Sequence, residues 1–112
     1  MAVKEASPAE CKDILAAGGT YLDVRTAEEF EAGHYADATN IPVMFKESGG
    51  MVKNAGFIES VSETFKDKDA TIVVSCKVGK RGAMAVEAMQ GAGYVNLTNM
   101  QGGYDAWLAA GL

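Results

Sequence analysis

Residues 71–91, TIVVSCKVGKRGAMAVEAMQG, admit few folds. Thr71-Ile72-Val73-Val74-Ser75 is an unbroken β-branched and apolar run, the pattern of a strand buried on both faces of a parallel sheet. Cys76-Lys77-Val78-Gly79-Lys80-Arg81 then turns the chain within a few residues. Ala83, Met84, Val86, Ala88 and Met89 carry a helix as far as Gly91. The stretch reads as strand, tight loop, helix.

That order puts Cys76 at the mouth of a helix N-terminus. Unpaired backbone N–H groups and the positive end of the helix dipole favour a thiolate there. Lys77, Lys80 and Arg81 add positive charge, and a lowered thiol pKa is expected in such surroundings. A free cysteine is by default a buried core residue. Here the loop that follows reverses that default.

The 112 residues are expected to form one domain, 1–112, large enough for a single core. A hydrophobic fraction of 48% with 22% charged residues fits a soluble globular protein. The net charge of -5 argues against a nucleic-acid or anionic-membrane partner, since no basic stripe lies outside the Cys76 loop. Cys11 and Cys76 are far apart and lack metal-type spacing, so neither zinc nor a disulfide framework is suggested. A reducing compartment fits best. No apolar run could span a bilayer, and residues 1–8 have neither signal-peptide nor transit-peptide character. The expected location is cytoplasmic, or plastid or mitochondrial for a mature or trimmed form.

Ser7-Pro8-Ala9-Glu10 reads as a helix start, with a serine cap, proline in the first turn and glutamate completing a capping box. Cys11, Ile14 and Leu15 share one face of that helix, which Gly18-Gly19 stops. Cys11 is expected in the core; its alternative is a resolving thiol for Cys76. Residues 21–24 form a strand, and Thr26-Ala27-Glu28-Glu29 opens a second, brief helix that Gly33 closes. His34, the only histidine, invites a role as general base, but after a helix stop its expected role is to order the loop.

Residues 39–42 read as a short strand ending at Pro42, residues 46–53 as a polar, mobile connection, and residues 54–65 as a helix with Phe57, Ile58, Val61 and Phe65 on one stripe. Residues 66–69 form a charged surface turn. Residues 94–97 read as a further strand, residues 99–103 as a glycine-bearing loop, and residues 104–108 as a last helix with Trp107 as a core anchor. Strands alternating with helices imply an α/β domain with a central, mainly parallel sheet and helices on both faces. Ligands in such sheets bind at the carboxyl ends of strands, where Cys76 lies.

A cysteine loop over a helix N-terminus makes a nest for an anion or an electron-rich sulfur. Two chemistries suit it: thiolate attack on a tetrahedral oxyanion such as phosphate or arsenate, or attack on a sulfane sulfur to give a persulfide. Phosphatase loops follow Cys-x5-Arg; here Arg81 follows Cys76 one residue earlier and Gly82 holds the phosphatase arginine's place. The smaller ring suits a single terminal sulfur.

The Cys76-Lys77-Val78-Gly79-Lys80-Arg81 loop resembles the Cys-x-x-Gly-x-Arg loop of the rhodanese family. So do Asp23-Val24-Arg25 with Glu29-Phe30, Gly33-His34, Asn40-Ile41-Pro42, and Gly102-Gly103-Tyr104 with Ala106-Trp107, all in family order. Residues 21–26 and 50–54 resemble the plant-type single-domain sulfurtransferases; Tyr35 and Asp37 depart from the commonest pattern. The resemblance implies a rhodanese-like fold in which Cys76 carries the persulfide. Lys77, Val78, Gly79, Lys80, Arg81 and Gly82 would cradle the transferred sulfur, with Arg81 holding the donor or orienting the loop. Asp23, Arg25 and His34 would be mainly architectural. The implied partners are a small anionic donor such as thiosulfate or mercaptopyruvate, and cyanide, a thiol or a protein as acceptor, with no metal or organic cofactor. The alternatives are an arsenate reductase of the same fold, suggested by Met44-Phe45-Lys46 with Arg81-Gly82, and a non-catalytic binding module.

Overall fold

The computed structural model describes residues 2–112. In chain order the elements are β1 (Glu5–Ala6), α1 (Pro8–Ala16), β2 (Thr20–Asp23), α2 (Ala27–Ala32), β3 (Thr39–Asn40), β4 (Met44–Glu47), β5 (Gly50–Lys53), α3 (Phe57–Thr64), β6 (Ile72–Ser75), α4 (Lys80–Gly91), β7 (Leu97–Met100) and α5 (Gly103–Ala109). Five strands form one sheet in the order β1-β7-β6-β2-β3, every neighbouring pair parallel. The expected α/β architecture is present, with β6 in the middle.

All four residues of β6 are buried, which is why they alternate with nothing polar before Ser75. Ile72 and Val74 enter one core with Phe57 and Val61 of α3 and Ala85, Val86 and Met89 of α4. Val73 enters a second core with Cys11 of α1, Tyr21 and Trp107 of α5. Side chains of a strand alternate between faces, so α3 and α4 cover one side of the sheet and α1 and α5 the other. Trp107 is the anchor expected of it, edge-on to Tyr21 and to Tyr35. Tyr35 also stacks on Tyr21, so one of the two residues that depart from the commonest pattern packs against this second core.

Both capping boxes form as read. Ser7 accepts from the Glu10 N–H while Glu10 accepts from the Ser7 N–H, and Thr26 and Glu29 do the same. Each such cap contributes about 1 kcal/mol to its helix.

Three expectations change. Residues 46–53 are not a plain connection: Met44–Glu47 and Gly50–Lys53 pair antiparallel as a separate hairpin, with Phe45 opposite Val52 and Lys46 opposite Met51. Glycine and charge disguised its alternation. The last sheet strand is Leu97–Met100, not residues 94–97, because Tyr94 turns into the first core while Leu97, Thr98 and Asn99 pair with β6. Asn99 and Met100 therefore belong to a strand, not to the glycine-bearing loop. Finally, Glu5–Ala6 adds an edge strand on β7, too short to leave a periodic signal.

Candidate functional site

Cys76 follows β6 at the carboxyl edge of the sheet, with its residue 1% exposed. Its Sγ accepts the Gly79 backbone N–H at 3.0 Å. Gly79 adopts φ 114°, ψ -21°, a left-handed geometry that folds the loop back over the sulfur. Gly79 is also the N-cap of α4, and no side chain among the described residues caps that helix. Its first-turn N–H groups thus lack a side-chain partner, the condition for holding an anion.

The loop carbonyls are held from outside by the N-terminus of α5. The Tyr104 N–H donates to the Cys76 carbonyl at 2.7 Å, and the Asp105 N–H to the Lys77 carbonyl at 3.1 Å. Gly103 makes this approach possible. Its φ is 62°, and a Cβ there would run into both carbonyls. Gly103 is thus a packing requirement of the cysteine loop, whereas a Cβ on Gly102 would meet Ala106 of α5.

Arg81 does not point its charge freely into solvent. Its Nη1 and Nη2 donate to the two carboxylate oxygens of Glu29 at 2.6 and 3.0 Å. The same carboxylate accepts from the Thr26 N–H at 3.2 Å and the Thr26 hydroxyl at 3.1 Å. The Arg81 hydrogen bonds, aided by Thr26 against the cost of burial, hold the Glu29 carboxyl down at about 2. One glutamate therefore caps α2 and fixes the end of the cysteine loop. The sequence shows the first role; the second joins residues too far apart for any local pattern.

The other loop residues divide by exposure. Lys77 pairs with Asp105 at 2.9 Å on the open surface, a pair worth little in water. Lys80 is exposed and in no ion pair among the described residues, and Val78 stands 56% exposed at the loop tip. Gly82 is buried against Asn99 and Cys76. A cavity of about 420 Å³ lies beside the loop, lined by Arg81 and Glu29 together with Thr26, Glu28 and two hairpin residues, Lys46 and Met51.

Asp23 and Arg25 form a buried ion pair at 2.7 Å, and Arg25 also donates to the Gly33 carbonyl at 2.7 Å and lies over the Tyr104 ring. Asn40 donates to the carbonyls of Asp23 and Arg25, each at 3.0 Å. These contacts tie the end of β2 to α2, β3 and α5. The His34 Nδ1 donates to the Phe30 carbonyl at 2.6 Å, and its ring stacks on Phe30 at 3.6 Å. Cys11 lies fully buried in the second core, where burial pushes its thiol up to about 11. Cys76 borders the first core, across the sheet.

Residues 7–110 match the family described as rhodanese-like domain. Thiosulfate sulfurtransferase 16, chloroplastic, of Arabidopsis thaliana is 44% identical over 100 residues, covering 89% of this chain and 82% of that protein. The Arabidopsis thaliana protein named HIGH ARSENIC CONTENT 1, mitochondrial, is 45% identical over 100 residues, covering 89% of this chain but 59% of its own length. The structure of human single-domain sulfurtransferase TSTD1 superimposes with a TM-score of 0.74 at 27% identity, covering 96% of each chain.

Proposed function

This chain belongs to the rhodanese-like domain family, and from that premise we propose that it is a thiosulfate sulfurtransferase working through a persulfide on Cys76. The observation that carries the reading is the Cys76 Sγ held by the Gly79 N–H at the uncapped start of α4. A nucleophilic sulfur in that position is stabilised by fixed dipoles and needs no separate base.

In the first half-reaction the Cys76 thiolate attacks the outer sulfur of thiosulfate. A new S–S bond forms, the donor's own S–S bond breaks, and sulfite leaves with the bonding electrons. In the second, cyanide, a small thiol or a protein thiol attacks the outer persulfide sulfur, and the Cys76 thiolate is released unchanged. Backbone N–H groups of residues 77–82 cradle the sulfur as negative charge moves onto it. Lys77 and Lys80 offset the donor's charge, while Arg81, engaged by Glu29, orients the loop. The other donor to compare is mercaptopyruvate.

Intact-protein mass spectrometry before and after thiosulfate tests this. Wild type should gain one sulfur atom that cyanide removes, and Cys76→Ser should gain none while keeping its thermal transition. Undiminished turnover in Cys76→Ser would overturn the assignment.

A second reading is arsenate reduction at the same thiolate, favoured by 45% identity to the relative whose name concerns arsenic. Glutathione-dependent formation of arsenite from arsenate, lost in Cys76→Ser, distinguishes it. The shorter ring between Cys76 and Arg81 favours sulfur over a whole oxyanion.

A further inference from the structure

We propose that Asn99, at the carboxyl end of β7, is the positioning residue that sets the cysteine loop for sulfur transfer; the inference rests on the sulfurtransferase reading above. Asn99 is 1% exposed, an uncommon place for an amide unless its polar atoms have work to do. Its Nδ2 donates to the Gly79 carbonyl at 3.1 Å. Gly79 is the residue whose N–H meets the Cys76 Sγ, so the amide holds one side of the glycine whose other side holds the sulfur. A left-handed glycine at φ 114° has no side chain to confine it, and this external donor supplies the restraint.

The orientation of the amide follows from its neighbours. The Gly79 carbonyl can only accept, so Nδ2 must face it and Oδ1 must face away. Oδ1 is buried with no hydrogen-bond partner among the described residues. It points at Gly82: a Cβ on Gly82 would overlap Oδ1, lie 3.2 Å from the Asn99 Cγ, and come 3.6 Å from the Cys76 Sγ. Asn99 thus touches the loop at both ends of the turn over the sulfur, at Gly79 by a hydrogen bond and at Gly82 by close packing. Leaving a buried acceptor unpaired is costly, and here that cost falls at the wall of the nest, where loop geometry decides reactivity.

Three measurements on wild type, Asn99→Asp and Asn99→Ala test the role. Asn99→Asp keeps the size and the Oδ1 but replaces the donor with an acceptor. The rate of sulfur loading from thiosulfate at saturating donor should fall by on the order of tenfold or more, with little change in the donor's KM. Amide hydrogen exchange at Gly79 should accelerate in both variants while Val86 and Met89, inside α4, keep their protection. Gly82→Ala should lower stability in denaturant unfolding strongly in wild type but much less on top of Asn99→Ala, where the colliding amide is gone. Unchanged Gly79 exchange together with full loading in Asn99→Asp would overturn the proposal. Failure of wild type to take up sulfur from either donor would instead overturn the sulfurtransferase reading, and the exchange and Gly82 results would still judge Asn99 by loop geometry alone.

Discussion

Glu29 carries two separate duties in this molecule. It completes the Thr26 capping box and accepts both guanidinium nitrogens of Arg81, so α2 and the cysteine loop share one carboxylate. The pair is only partly exposed, with side chains 16% and 28% accessible, and its two parallel bonds make it stronger than an open surface pair. Because the folded carboxyl sits at about 2, below its ordinary 4.5, Glu29 stabilises the fold fully above pH 4.5. That contribution is lost as the pH falls through about 2. Glu29→Gln keeps an oxygen for the Thr26 N–H but removes the charge. It should cost about 1–2 kcal/mol near neutrality, after allowance for solvent screening, and flatten stability across that acidic window. Urea denaturation of both proteins between pH 2 and 6 measures it.

At the scale of elements, two loops at the sheet's carboxyl edge are built as one piece. The first turn of α5 donates to the carbonyls of Cys76 and Lys77, so the loop that carries the sulfur is braced by the loop that follows β7. Gly103→Ala should break that brace. Its positive φ disfavours a side chain and the added methyl meets two carbonyls, so a loss of roughly 2–4 kcal/mol is expected in denaturant unfolding. Sulfur loading by the surviving folded fraction should fall as well. The motif at residues 102–104 was legible in the sequence, but its reason was not, because it lies in a contact between segments that are adjacent only through the parallel β6–β7 pairing. The same limit hid Asn99. Thr98-Asn99 beside Gln101-Gly102-Gly103 has a turn's composition, and only tertiary burial makes it strand. The caps at Ser7 and Thr26 and the strand entering Cys76 were legible because local chemistry determines them. The hairpin was not, since charged and glycine residues break its alternation and every residue in it but Met44 is exposed, which leaves no periodic buried face to read.

On the scale of the whole molecule, the sheet separates the two thiols. Cys11 packs with Tyr21, Val73 and Trp107 under α1 and α5, whereas Cys76 joins Val74 and the α3–α4 side. A disulfide needs Cα atoms within about 7 Å and side chains aimed at one another, which two thiols in cores on opposite faces of one sheet do not offer. Burial also keeps Cys11 protonated at neutral pH, with its pKa pushed up to about 11, so it is a poor nucleophile. Cys11 is therefore a core residue and not a resolving thiol. Cys11→Ala should retain the wild-type rate of sulfur loading and discharge while losing about 1 kcal/mol of stability from the smaller side chain. Native protein treated with a mild oxidant should show no link between the peptides containing the two cysteines in non-reducing mass spectrometry. A Cys11–Cys76 disulfide forming before unfolding would require the sheet to open. In that event the separation of the two cores would not govern the chemistry of Cys76, and Cys11→Ala would change the fate of its oxidised sulfur.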